Sequence, residues 1–251
     1  MPSSPLPILD APDTAPDSLP VSETFVSLQG EGKLTGVKSW FLRTSGCNLR
    51  CVWCDTPYAS WNPEGTRRTL ADLIAEAKAS RARHAVLTGG EPMLFAALLP
   101  LTHALRDAGI HVTIETAGTL APSPLPHADL WSISPKLAHS TPRNDPRDPS
   151  GVWAARHEQR RLNITSLQAL LNAPGDHQLK FVVSTSNDMP EIDALLEKLT
   201  GWTPSDILLM PEGVTIPSPQ RRREVADLCL QRGFRYCPRL HIELFGNTRG
   251  T

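Results

Sequence analysis

Period, more than composition, limits what this chain can become. Seven short segments of strand character recur along its 251 residues: SWFLRT (39–44), HAVLT (84–88), HVTIET (111–116), DLWSIS (129–134), LKFVVS (179–184), DILLMP (206–211) and RYCPRL (235–240). Between most of them lie amphipathic stretches of helical period at 69–80, 93–109, 166–173, 190–201 and 218–233, with Gly109, Gly201 and Gly233 where helix C-caps belong. Such alternation predicts βαβ units, a parallel sheet and right-handed crossovers. Chemically unusual residues sit at the strand ends: Thr88-Gly89-Gly90-Glu91, Glu115-Thr116-Ala117-Gly118, Ser134-Pro135-Lys136 and Met210-Pro211-Glu212-Gly213. In a parallel barrel or partial barrel those points share one rim, where active sites are built.

The length can bury a full core in one large domain or two small ones without disulfides. Twenty-five Lys and Arg against 26 Asp and Glu give a net charge of −1, which argues against nucleic-acid binding by bulk electrostatics. No apolar run approaches the roughly 20 residues of a membrane span, and no secretory signal opens the chain, so a cytoplasmic protein is expected. Residues 1–20 hold six prolines and read as a mobile leader, with structure starting near Val21 and one domain running from 21 to 251. A polar, Pro-rich stretch at about 137–163 reads as a mobile surface insertion.

Three of the five cysteines crowd into Cys47-Asn-Leu-Arg-Cys51-Val-Trp-Cys54, on a loop directly after the first expected strand. Clustered thiols in a reducing compartment are metal ligands more often than disulfides. A closed zinc site wants four ligands, which a histidine, Cys229 or Cys237 could complete. An iron–sulfur cubane on three thiolates leaves one iron for a small molecule. Spacing alone leaves both open.

Trp53, able to shield a cluster from water, and Gly89-Gly90-Glu91-Pro92, whose backbone and carboxylate suit an ammonium group, tip the balance. With the C-x3-C-x2-C loop they resemble the radical S-adenosylmethionine (SAM) superfamily. Ser27-Leu28-Gln29-Gly30-Glu31-Gly32, Cys54-Asp55-Thr56 and the C-terminal HIELFGNTRG narrow the resemblance to the 7-carboxy-7-deazaguanine synthase family, from about Ser22 onward. That resemblance implies an α/β fold, a partial (trimmed) parallel β/α barrel of the radical SAM type. It also implies a lyase that converts 6-carboxy-5,6,7,8-tetrahydropterin to 7-carboxy-7-deazaguanine with loss of ammonia, toward queuosine and related deazapurines. The implied cofactors are a 4Fe-4S cluster, SAM and Mg²⁺; the implied partners are a second copy of the chain and an external electron donor such as flavodoxin or ferredoxin.

Residue by residue, the resemblance assigns Cys47, Cys51 and Cys54 to the cluster. Trp53, Cys54, Asp55, Gly90, Glu91, Ser134, Pro135, Lys136, Met210, Pro211, Glu212 and Gly213 go to SAM. Leu28, Gln29, Gly30, Glu31, Arg43, Thr88, Glu115 and His241 go to the pterin, and Thr56 to magnesium. The chemistry fits: an arginine fork can take a carboxylate where a lysine offers only a point charge. Simpler readings stand beside these. SLQGEG alone is an ordinary turn, Lys136 an ordinary surface lysine, Cys229 a core residue and Thr56 a turn cap. Two rival functions are an activase that puts a glycyl radical on a partner protein, sharing the cysteine loop, and a zinc-stabilised binding module. The first lacks SLQGEG and HIELFGNTRG; iron and sulfide against zinc separates the second.

Overall fold

The computed structural model describes residues 12–251. Its centre is one nine-stranded sheet in the order β3-β1-β2-β4-β5-β6-β7-β8-β9. The strands are β1 (Ser18–Leu28), β2 (Lys38–Thr44), β3 (Thr66–Thr69), β4 (His84–Gly89), β5 (His111–Thr116), β6 (Leu130–Ile133), β7 (Asp176–Val183), β8 (Ile207–Pro211) and β9 (Arg235–Tyr236). The run from β2 through β9 is parallel, while β1 pairs antiparallel with β2 and β3. Because each parallel strand neighbours the next without reversal, successive right-handed crossovers stack their helices on one face. The sheet leaves its opposite face to the cavity, and its ends stay open. This is the expected partial barrel.

Period 2 within each strand separates structure from chemistry. Trp40 and Leu42, Ala85 and Leu87, Trp131 and Ile133, Leu179, Phe181 and Val183, and Ile207 and Leu209 all join the main core under the helices. The intervening Phe41, Arg43, Thr88, Ser132, Lys180, Val182 and Met210 line the cavity. The covering helices are α1 (Leu70–Ala79), α2 (Leu98–Asp107), α3 (Val152–Arg160), α4 (Ile164–Leu171), α5 (Met189–Leu196), α6 (Pro219–Arg232) and α7 (Leu240–Phe245). Thr69, Asn163 and Ser218 cap α1, α4 and α6 through their side chains. Gly109, Gly201 and Gly233 all take the left-handed backbone expected past a helix end.

Four expectations need correction. Order starts before Val21: Asp13 bridges to Phe95, and β1 begins at Ser18, so part of the expected leader is built in; its residues 1–11 lie outside those described. The last expected strand stops at Tyr236 because Pro238 has no N–H for a ladder, and Leu240–Phe245 turns helical. Met93 and Leu94 lie in a 3-10 turn, so α2 starts only at Leu98.

The fourth concerns 137–163, which is an ordered arm and not a loose insertion. Its polarity is consumed locally: Arg147 pairs with Asp145 at 2.6 Å, Arg161 with Glu158 at 2.7 Å, and Asp148 accepts from Ala154 N at 2.8 Å. Ser140, Asp145, Asp148 and His157 are buried. Pro-rich, charged sequence looks mobile only while its partners are unknown.

Candidate active site

The cysteine loop is held from three sides. Glu91 N donates to Gly46 O at 2.9 Å and Gly46 N to Ala59 O at 2.9 Å, so the glycine pair after β4 lies directly against the loop. A Cβ on Gly90 would stand 2.1 Å from Gly46 O and 2.6 Å from Ala59 O; only glycine fits there. From the arm, His157 Nδ1 accepts from Arg50 N at 3.2 Å, Ser140 O accepts from Val52 N at 2.8 Å, and Arg147 donates to Val52 O at 2.8 Å. Ser140 gives its own hydroxyl proton to Leu137 O, so it accepts from His157 Nε2 at 2.8 Å, which fixes that tautomer. Inside the loop, Arg50 donates to Cys47 O and Leu49 O at 2.7 Å each and stacks on Trp153 of the arm at 4.0 Å.

Cys47, Cys51 and Cys54 are free thiols. Burial, with Glu91 nearby, pushes Cys47 up to about 12. Burial likewise raises Cys51, which feels both other loop cysteines. Such thiols ionise only when a cationic group takes their charge. Three thiolates on one short loop are one ligand short of a closed zinc site and match a cubane that leaves one iron without a protein ligand. The donor set fits a cluster.

Beside the loop, on the open face of the sheet, lies a cavity of about 300 Å³. It brings together Leu28, Gln29, Gly30, Glu31, Arg43, Trp53, Asp55, Thr56, Thr88, Gly90, Glu115, Ser134, Lys136, Met210 and His241. Lys136 Nζ donates to Ser134 Oγ at 2.9 Å and stands 5.6 Å over the Trp53 ring, so it belongs to the site and not to the outer surface. Trp53 Nε1 donates to His139 Nδ1 at 3.1 Å, a further tie to the arm. Gln29 is buried and donates to Glu115 Oε1 at 3.1 Å, placing an amide and a carboxylate side by side. His241 packs onto Gly30 so closely that a Cβ there would meet its ring; burial holds that imidazole below its usual pKa. The Thr56 side chain does not cap the turn that follows it, and its hydroxyl lies 3.8 Å from Cys54 Sγ.

Six of the residues assigned to SAM do not line the cavity; one of them is Cys54, which belongs to the cysteine loop. Glu91 is fully buried and does not line the cavity. Its carboxylate accepts from Met93 N at 3.1 Å, Thr116 Oγ1 at 2.7 Å and Ala117 N at 2.9 Å, tying the β4 end to the β5 end. It grips the scaffold, not an ammonium group. Pro135, Pro211, Glu212 and Gly213 sit on the rim without lining the cavity. Glu212 N continues pairing to Val183 O at 3.0 Å, and Gly213 O is taken by Arg239.

Several residues of the site carry no assignment from the sequence. Lys180, at an inward position of β7, and Arg239 both bond Glu31, and Arg239 also reaches Asp55. Burial alone would raise Glu31, but Lys180, Arg239 and His241 together hold its carboxyl well below the usual range. It is an ionised clamp and no proton acceptor. Phe25, Tyr58, Asn247 and Arg249 also line the cavity. The β7 alternation could have flagged Lys180 as a cation on the catalytic face. Cys237 is no bystander either: buried, it accepts from Gly32 N at 3.2 Å behind the SLQGEG turn.

A partial parallel barrel whose first parallel strand, β2, feeds a three-cysteine loop braced by a Gly-Gly strand end defines a radical SAM enzyme, and residues 41–130 match the radical SAM superfamily. Within that class the chain belongs to the 7-carboxy-7-deazaguanine synthase family. It is 48% identical to 7-carboxy-7-deazaguanine synthase of Rhodopirellula baltica, over 93% of this chain and 89% of the relative. The enzyme of the same name from Halobacterium salinarum is 47% identical, over 93% of both chains. The crystal structure of QueE from Escherichia coli superposes with a TM-score of 0.65 at 27% identity, covering 88% of this chain and 93% of that one.

Proposed function

We propose that this chain converts 6-carboxy-5,6,7,8-tetrahydropterin to 7-carboxy-7-deazaguanine with loss of ammonia, as a radical SAM lyase of deazapurine biosynthesis. One observation carries the substrate reading. Arg43 presents its guanidinium to a cavity that also holds the Gln29 amide paired with the Glu115 carboxylate. An arginine takes a carboxylate; an amide beside a carboxylate suits the amine and amide edge of a pterin.

Family membership implies a 4Fe-4S cluster and SAM, which when bound supply a carbon-centred radical by one-electron cleavage of the sulfonium. Cys47, Cys51 and Cys54 would hold the cluster. Trp53, Asp55, Gly90, Ser134, Lys136 and Met210 would line SAM. Leu28 to Glu31, Arg43, Thr88, Glu115 and His241 would fix the pterin, and the Glu31–Lys180–Arg239 clamp keeps the SLQGEG turn rigid against β7. Thr56, its hydroxyl not spent on capping, would give Mg²⁺ one protein oxygen, the rest coming from substrate and water. A homodimer, an external one-electron donor and a cytoplasmic setting go with this reading. Among the described residues no helix is long and apolar enough to cross a membrane.

The test is anaerobic incubation of reconstituted protein with the carboxylated tetrahydropterin, SAM and a reductant, with and without Mg²⁺. Formation of 7-carboxy-7-deazaguanine is expected, faster with magnesium. SAM cleavage without pterin conversion would leave the superfamily chemistry intact and remove the substrate assignment.

A further inference from the structure

The substrate side holds a carboxylate that the proposed reaction leaves unused. Glu23 stands on β1 in register with Arg43, just past an irregularity between Val21 and Glu23. A bulge re-aims the side chain beside it. The Glu23 side chain is 12% exposed and collects three donors: Arg43 Nε at 2.7 Å and the Tyr58 hydroxyl at 2.9 Å on Oε1, and Arg249 Nε at 3.3 Å on Oε2. Arg249 also pairs with Glu64 at 3.0 Å, and its guanidinium lies 4.1 Å over the Tyr58 ring. Residues 247–251, which carry Arg249, line the cavity.

Two consequences follow from the geometry. Arg43 Nε is spent on Glu23, so an incoming carboxylate meets only the Nη1–Nη2 end, which makes no hydrogen bond among the described residues. A guanidinium fixed at Nε loses less freedom on binding than one on a free stem. In addition, the carboxylate that aims Arg43 also anchors the segment 247–251.

We propose that Glu23 is a positioning residue that turns the Nη end of Arg43 toward the substrate carboxylate and, through Arg249, ties residues 247–251 along the same wall, coupling carboxylate recognition to closure of that segment. This rests on the pterin reading above.

The experiment uses reconstituted, SAM-loaded full-length protein under anaerobic conditions. Binding is measured calorimetrically for 6-carboxytetrahydropterin and for a tetrahydropterin lacking the 6-carboxylate, in wild type, Glu23→Gln, Arg249→Ala and the double variant. Glu23→Gln should weaken the carboxylated ligand roughly 10- to 100-fold, the range for one hydrogen bond to a charged group. It should change the decarboxylated ligand and SAM by less than about threefold, within the scatter of distant sites. Arg249→Ala should weaken the carboxylated ligand by less than Glu23→Gln, and the double variant should fall short of the product of the two effects. Equal loss for both pterins and SAM would overturn the positioning role, as would no loss at all. Amide exchange of 247–251 without ligand should quicken in both single variants; unchanged exchange in Glu23→Gln would overturn the tie to the tail. A wild type that binds neither pterin would overturn the functional reading and the role of Glu23 with it. A wild type that binds both pterins equally would remove Arg43's assignment and overturn the positioning role of Glu23, leaving the rest of the functional reading in place.

Discussion

The two walls of the cavity are built on different plans. The cluster side comes from parallel strand ends: the cysteine loop after β2, the glycines at the end of β4, Ser134 and Lys136 after β6, and Met210 on β8. The substrate side comes from an antiparallel strand, a turn, an inward lysine and the last residues of the chain, joined by ion pairs across up to 226 sequence positions. A parallel strand end is a local place in sequence that the topology then gathers, so short motifs can serve it. The other wall is made of pairings, and although SLQGEG and HIELFGNTRG mark two of its segments, which charges pair across it has no local signature.

This contrast can be broken from either side. The largest effect should come from Cys47→Ala, Cys51→Ala or Cys54→Ala, each abolishing iron retention and SAM cleavage while circular dichroism still shows a folded sheet. Cys229→Ala, at a buried helix position packed in the main core, should keep its iron. If it lost its iron as the loop variants do, the ligand set would be wrong.

On the substrate wall, Arg43→Lys should cost about 2–5 kcal/mol of pterin binding and leave SAM binding in place, because a point charge cannot replace the fork. Separate titrations of the two ligands check this, and equal losses would mean that the two walls are not independent. A smaller effect belongs to Gly90→Ala, whose Cβ must push the Gly46 and Ala59 carbonyls. Overpacking of that kind costs about 1–3 kcal/mol of stability. Thermal melts and SAM titration should move together, since the cysteine loop itself shifts.

The smallest effect concerns both halves of the scaffold. Burial lowers His84, between Ser39 and Thr113, to about 4, and burial beside Arg161 lowers His157 to about 4 as well. Each folded-state value lies below the ordinary 6.5, so the unfolded chain binds more protons throughout that window. Their contribution is complete above about 6.5 and is lost as pH falls toward about 4. The melting temperature should therefore drop across that range, less steeply in His84→Asn. An identical pH profile in that variant would show that His84 contributes nothing.

Residues with a local signature were readable in advance. The cysteine loop, the Gly-Gly turn, Lys136 and Glu115 reach the cavity because strand-end position already placed them on one rim; Arg43 and Gln29, singled out by the family resemblance, reach it too. Glu91 was misread since a carboxylate after two glycines looks exposed; only the folded chain shows it bonded to Thr116, Met93 and Ala117. The arm was misread for the same reason in reverse. Its charges look solvated until Asp145, Glu158 and the carbonyl of Val52 are seen to receive them.

What the sequence determined by itself is therefore the periodic part: parallel strands, crossover helices and the chemistry strung along their ends, because period and turn residues act over a few neighbours. Tertiary structure alone decided which charges are clamped, which are spent on the scaffold and how residues 247–251 meet β1. Those outcomes depend on pairing between residues far apart in the chain, and electrostatic partners leave no period to read.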